Sequence, residues 1–259
     1  MPKCQSTTLL RASVLASVLA FALILVPRLA RAQDYTHKSF LIPRGGVALE
    51  GEPARPLLVD INLSENSAGR PVTIPLNAFW GVSDDVSLGI THQRGLCFNR
   101  CDKPYNDSGF GMMVGLTHGP TFELDLHLGV PIHSFTDPFL IGTTAGVIGR
   151  VNFSNVAFVF DPGIYVGLNR RNRGNGDGLY LPVWFYFQST ETIVPFVGTG
   201  AIGPLNDFAG QFAVPLEGGM LFSVAHNVDI GFMFRFFNVL GHGGNLRGRD
   251  TGFLGRFVF

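Results

Sequence analysis

The feature that most constrains this chain is the way its connections alternate in length. Twelve segments of alternating or apolar pattern follow one another from residue 55 onward, with short turns and long loops alternating between them. Because a strand sends successive side chains to opposite faces, this period of two predicts twelve antiparallel strands in an all-β chain. The segments are 55–65, 70–82, 84–94, 109–118, 121–131, 138–152, 155–168, 179–189, 192–202, 209–224, 227–239 and 250–259.

The composition restricts what can surround these strands. Hydrophobic residues make up 46% of the chain and charged residues only 15%, whereas roughly a quarter of the residues of a soluble domain are charged. No segment after residue 32 approaches the ~20 consecutive apolar residues of a spanning helix. A closed barrel satisfies every backbone hydrogen bond within lipid, so the sequence predicts an antiparallel transmembrane β-barrel. A soluble secreted β-protein is the alternative fold.

The last segment carries a family resemblance. It ends on an aromatic residue, and Phe257 and Phe259 share one row while Arg256 lies on the other. This ending resembles the C-terminal strand of bacterial outer-membrane β-barrels, whose terminal Phe is read by the barrel-assembly machinery. The resemblance implies that Phe257 and Phe259 form an assembly signal. It also implies a porin-like protein in the outer membrane of a Gram-negative cell, with short periplasmic turns and an even number of strands.

The N-terminus predicts export. Residues 1–32 combine early basic residues, an apolar run too short to span a membrane, and a small-x-small pattern that ends at Ala32; these are the parts of a secretory signal peptide. Cleavage is expected near Ala32. Residues 33–54 are interrupted by proline and glycine, so they are expected to form a periplasmic lead-in or a segment tucked into the lumen. Residues 55–259 are assigned to the transmembrane barrel.

Polar residues lie on the strand rows opposite the apolar rows and are predicted to face the lumen. These candidate pore-lining residues are Asp60, Glu123, Asp125, His127, Arg150, Asp161, Glu217, Asp229, Arg235 and Arg256. Two interpretations stay open. The charges either pair to brace the interior, or their acidic excess makes a narrow pore that favours cations. Twelve strands enclose a wider space than the eight whose interior side chains can fill, so a pore is geometrically possible.

Charge and cysteines narrow the list of partners. After residue 32 the chain holds 15 basic and 19 acidic residues, which gives no basic patch and excludes nucleic acid as an expected partner. Cys97 and Cys101 lie in one long loop, and in an exported protein they are expected to form a small disulfide. The arginines of loop 169–178 either bind lipopolysaccharide phosphates or belong to a solvated loop. Small solutes are further possible partners.

The sequence indicates no catalytic centre. It contains no Gly-x-Ser-x-Gly elbow, and no catalytic residue or cofactor is expected. Glu123, Asp125 and His127 share one strand face and could hold a metal ion, but any barrel has an alternating polar row, so no metal is expected. The predicted function is passive: a narrow pore for small solutes, or a structural surface barrel. The alternative is a barrel enzyme that acts on outer-membrane lipid.

Overall fold

A computed structural model of the protein describes residues 35–50, 57–65, 67, 69–92, 96–98, 107–135 and 138–259. The predicted signal peptide of residues 1–32 and its cleavage site at Ala32 therefore lie outside the described residues. No helix within these ranges is long and apolar enough to cross a membrane.

Twelve strands form the wall of the molecule, and several of them consist of two consecutive pieces. The first six are β1 (Val47–Glu50 and Leu57–Asn62), β2 (Val72–Ile74 and Asn77–Ser83), β3 (Val86–His92 and Leu96–Cys97), β4 (Ser108–His118), β5 (Phe122–Ser134) and β6 (Leu140–Phe153). The last six are β7 (Val156–Phe160 and Gly163–Gly167), β8 (Gly178–Tyr180 and Val183–Phe187), β9 (Ile193–Thr199 and Ile202–Pro204), β10 (Ala213–Ala225), β11 (Val228–Gly241) and β12 (Asn245–Val258).

Short helical turns accompany the strands. They are the 3₁₀ turns Tyr35–His37, Arg171–Arg173 and Leu205–Asp207, and the α-helix Phe208–Gln211. The two latter elements follow each other in the connection between β9 and β10, which is one of the long loops that the sequence predicts.

Each strand pairs in antiparallel fashion with the next, and β12 pairs with β1 to close the barrel. The closing register runs from Ala48 opposite Val258 to Asn62 opposite Asp250. The predicted all-β fold, a closed antiparallel barrel of twelve strands, is confirmed. The short turns lie together at one end of the barrel, here called the short-turn end, and the long loops lie at the other, the long-loop end.

Prolines interrupt two neighbouring strands of the wall. Proline cannot donate a ladder hydrogen bond, and β7 and β8 break at Pro162 and Pro182. The two proline carbonyls still accept, because Val147 N donates to the first at 3.0 Å and Asp161 N to the second at 3.1 Å. The wall therefore stays connected across both prolines.

The two rows of each strand differ in exposure as the period of two predicts. On β11 and β12 the outward row presents Phe232 and Phe253, which are 49% and 55% exposed. The inward row holds the core, because Met233 and Leu254 are buried inside the barrel. The outward rows of these two strands are thus apolar at these positions.

The barrel wall begins at Val47, earlier than the boundary expected at residue 55. Val47–Glu50 pairs with β12 on one side and with β2 on the other. The sequence did not indicate this short strand because Pro43, Gly45 and Pro53 interrupt the alternating pattern around it. Leu57–Asn62 continues the same edge of the barrel beside β12, so the strand count stays even.

Candidate functional site

Residues 35–42 cross the interior of the barrel at the short-turn end and are here called the plug. Three of its apolar side chains are buried, with Phe40, Leu41 and Ile42 at most 5% exposed. The plug contacts most sides of the wall: the Tyr35 ring lies 5.3 Å from that of Tyr186 on β8, and the Ile42 N–H donates to Ser87 on β3 at 3.0 Å. It therefore spans the lumen from one side to the other.

A buried lysine fastens the plug to β10 and β11. Lys38 Nζ lies 2.6 Å from Asp229 Oδ1, 2.7 Å from Ser223 Oγ and 3.0 Å from the Ala225 carbonyl oxygen. Both charged side chains are almost fully buried, so the ion pair is shielded from water. Burial lowers the pKa of the Lys38 amine below its ordinary value, and the Asp229 carboxylate opposes this shift.

A second ion pair fastens the plug to β5 and β6. Glu123 Oε2 lies 2.6 Å from Arg150 Nη2, and its other oxygen accepts hydrogen bonds from Ser39 Oγ at 2.6 Å and from the Phe40 N–H at 2.9 Å. Arg150 also donates to the Lys38 carbonyl and lies 5.0 Å from the centre of the Phe40 ring. Both members of this pair therefore hold plug backbone as well as each other.

A third ion pair joins the plug to the closing strands. Arg256 on β12 pairs with Glu50 on β1 at 2.8 Å and donates to the Ser39 carbonyl at 2.8 Å. Both side chains are buried. The plug thus contacts a charged group of the last strand that is itself paired with the first strand, at the line where the barrel closes.

An apolar belt lies inside the barrel around the plug. It was not foreseen, since the inner rows were expected to be mostly polar. Buried residues of the inner rows join the plug side chains in one cluster, among them Met113, Ile148, Trp184, Phe196 and Leu221. The interior around the plug, at the short-turn end, is therefore packed with side chains like the core of a soluble domain.

Towards the long-loop end the interior opens into a cavity of about 480 Å³. Its lining mixes aromatic and polar side chains, including Tyr165, Tyr180 and Thr91. His127 Nε2 and Asp161 Oδ1 face each other there at 2.7 Å. The cavity is wide enough for a small solute and carries groups that can hydrogen bond to one.

One arginine and several carboxylates determine the charge of the lumen near the long-loop end, here called the upper lumen. Arg235 contacts Asp250 and lies 3.5 Å from Asp60, while Glu217 is its cross-strand neighbour and accepts a hydrogen bond from Trp184 Nε1. Asp250 is fully buried. Together with Asp161, the carboxylates outnumber the arginine in the described part of the upper lumen.

The ten candidate pore-lining residues divide between these two levels. Asp60, His127, Asp161, Glu217 and Arg235 lie in or beside the upper cavity. The others lie at the level of the plug, where they are buried and line no open path; these are Glu123, Asp125, Arg150, Asp229 and Arg256. The period of two places all ten on inward rows, but it carries no information on depth or on what covers them.

Sequence reasoning missed three charged residues of the interior: Lys38, Glu50 and Asp250. Asp250 could have been found, because it continues the inward row that contains Leu254 and Arg256. The other two lie in a segment whose alternating pattern is broken, so no strand period marks them as inward-facing. Cys97 is disulfide-bonded, whereas Cys101 lies outside the described residues, so the predicted pairing of the two stays a prediction.

Similarity to known proteins is found at the level of the fold. No protein-family model matches the sequence, and no curated protein sequence matches it. Among solved structures, the NanC porin is similar over 77% of this chain and 97% of its own, with a TM-score of 0.55 and 8% identity. OmpF of Salmonella typhi is matched over 71% of this chain and 61% of its own, with a TM-score of 0.37 and 16% identity. At such identities the first similarity shows the fold alone.

Proposed function

We propose that this outer-membrane β-barrel is a narrow passive channel for small cationic or neutral solutes whose short-turn end is closed at rest by the plug. The observation that carries the proposal is the solute-sized cavity, lined by aromatic and polar side chains, above a plug that is held by ion pairs. A barrel with a purely structural role needs neither such a cavity nor a removable closure. The channel path would run from the long-loop end through the cavity and past the plug.

The way in which the plug is attached supports a closure that can open. Its contacts with the wall are made by side chains such as Lys38 and Glu123, whereas the wall is held by its own continuous ladder. The plug can therefore leave without breaking the hydrogen bonds that close the barrel. The acidic excess around Arg235 supports a preference for cations over anions.

The test is single-channel recording in a planar bilayer under a salt gradient. We compare the chain that lacks residues 1–32 with a variant that also lacks residues 33–42. We expect little conductance from the first and steady conductance with a cation-favouring reversal potential from the second. A folded variant without conductance would refute a channel, and equal conductance of both chains would refute the plug as its closure.

A Ser–His contact on the outer surface favours one second candidate, an enzyme that acts on lipid. Ser108 Oγ lies 2.9 Å from His92 Nδ1, and the two residues are cross-strand partners on the same row as the exposed Ile90 and Phe110. This row faces outward near the long-loop end. A serine beside a histidine base is the arrangement that activates a nucleophile.

The buried position of Ser108 speaks against this candidate, because only 6% of the residue is exposed and a substrate carbonyl must reach the hydroxyl oxygen. The test is hydrolysis of a fluorogenic phospholipid in mixed micelles by the refolded chain and by Ser108→Ala. Hydrolysis that disappears in the variant would establish the enzyme. Absence of hydrolysis in both chains would exclude it.

A further inference from the structure

One buried carboxylate at the short-turn end has no hydrogen-bond partner. Asp125 on β5 is completely buried, and no donor among the described residues reaches either of its oxygens. Burying an ionised carboxylate without a partner is very unfavourable, and buried charges are normally paired or bound to a metal ion. The position therefore favours either a protonated carboxyl group or a cation bound to Asp125.

A histidine from the neighbouring turn reaches towards this carboxylate. The Nε2 atom of His118 lies 3.7 Å from Asp125 Oδ1, and its Nδ1 atom lies 3.7 Å from Glu123 Oε1. The imidazole lies over Gly115, where a Cβ atom would come within 2.0 Å of Nε2. The glycine thus makes the space that allows the ring to turn inward towards the acidic pair.

The spacing of these three side chains suits a metal ion. One donor atom from each of His118, Glu123 and Asp125 can be chosen so that all three lie within 4.8 Å of one another. Ligand atoms around a tetrahedral ion with bonds near 2 Å are about 3.3 Å apart, so small side-chain rotations are sufficient. The His118 side chain is 35% exposed, which leaves the group open to ions from the short-turn end.

The donor set indicates which kind of ion fits. One imidazole nitrogen with carboxylate oxygens suits Zn²⁺ and its neighbours among the transition metals, whereas Ca²⁺ and Mg²⁺ take oxygen ligands almost exclusively. Glu123 already accepts hydrogen bonds from Arg150, Ser39 and the Phe40 N–H. An ionised carboxylate has about four acceptor positions, two on each oxygen. Oε1 uses two of them and Oε2 uses one, so the position that remains for the ion is on Oε2.

We propose that His118, Asp125 and Glu123 bind one divalent transition-metal ion of the Zn²⁺ class at the short-turn end of the barrel, beside the plug. In this site the ion would neutralise the buried Asp125 carboxylate by binding to it directly. Because Glu123 also holds the backbone of Phe40, the bound ion sits next to an anchor of the plug. This site does not depend on whether the lumen conducts.

The experiment is calorimetric titration of Zn²⁺ into the full chain without residues 1–32, refolded in detergent without a histidine tag and freed of metal with a chelator. We expect one ion per chain at pH 7.5. His118→Ala and Asp125→Asn should each weaken the affinity at least about tenfold, as loss of groups at a metal site does. His226→Ala, in another turn at the same end, is the matched control and should bind as before.

Two further measurements test the proposed site, one of heat resistance and one of Zn²⁺ binding. Asp125→Asn removes the unpaired charge and should leave the metal-free barrel at least as heat-resistant as the original chain. Gly115→Ala should displace the imidazole and weaken Zn²⁺ binding with both carboxylates intact. The proposal is overturned if the original chain binds no stoichiometric Zn²⁺, which would leave a plain His118–Asp125 ion pair. It is equally overturned if His118→Ala and Asp125→Asn bind as well as the control.

Discussion

Replacing Lys38 by methionine should release the plug without unfolding the barrel. The amine of Lys38 makes three contacts of 2.6–3.0 Å in a buried environment, and its loss leaves Asp229, which is 1% exposed, with an unneutralised charge. Removing one partner of a buried ion pair costs about 3–5 kcal/mol. Since about 1.4 kcal/mol corresponds to a factor of ten, the ratio of released to docked plug should rise roughly a hundredfold to a few thousandfold.

The assay is the rate at which a maleimide modifies a cysteine at Leu41. That side chain is 5% exposed in the docked plug, so modification follows the released fraction when docking is fast relative to labelling. The measurement uses a background in which Cys97 and Cys101 are replaced by serine. Labelling should accelerate by at least about a hundredfold in Lys38→Met, provided that the heat-modifiable barrel form is retained.

The double variant Lys38→Met with Asp229→Asn provides the control. Replacing both partners removes the unpaired charge, and such replacements can be nearly neutral, so labelling should fall back towards the original rate. An increase below about tenfold in Lys38→Met would refute the assignment of Lys38 as a main anchor of the plug. Equal rates in the single and double variants would show that lost packing, and not the charge of Asp229, is responsible.

Three further perturbations test the wall. Gly81→Ala should loosen the chain just after the plug, because a Cβ atom at residue 81 would lie 2.1 Å from the Pro43 carbonyl oxygen and 2.4 Å from that of Ile42. Gly218→Ala is the control: the nearest atom would lie 3.5 Å from its Cβ, so a cysteine placed at Leu41 should stay protected from the maleimide. A cysteine at His127, in the upper cavity, should react with a hydrophilic maleimide in liposomes while one at Leu126 does not, and the reverse pattern would contradict the assigned faces. Deleting Phe259 should leave export intact and reduce insertion, as heat-modifiable barrel yield would show; an unchanged yield would remove its role as a signal.

The sequence predicted the wall well because the wall obeys a local rule. Alternation with a period of two identifies both the strands and their inward rows, and β5 with Glu123, Asp125 and His127 shows this most clearly. Turn and loop lengths then determine which ends of the strands lie together. Both signals are contained in stretches of about ten residues, so no knowledge of distant contacts is needed.

For the plug the sequence offered only two alternatives, a periplasmic lead-in or a segment tucked into the lumen, because its contacts are distant in sequence. Lys38 contacts Asp229 across 191 positions, and Phe40 contacts Glu123 across 83. No period marks the segment, since Pro43 and the glycines that follow break its pattern. Its three consecutive apolar residues, 40–42, beside one lysine were the available hint that the segment is buried. Whether Asp125 has a hydrogen-bond partner likewise depends on the residues that cover it, and the local sequence pattern does not indicate those residues.

The closing line of the barrel determines the order in which the molecule can be built. Val47 and Phe259 exchange backbone hydrogen bonds of 2.7 Å and 3.0 Å, so the edge strand of the N-terminal part can pair only once Phe259 is in place. Pairings between residues so far apart in sequence form slowly. The plug waits for the same event, because it needs Asp229 and Arg256 as partners. A chain that stops short of its final hairpin therefore keeps an unpaired sheet edge, which is a template for aggregation, and has nothing to hold its N-terminal segment inside.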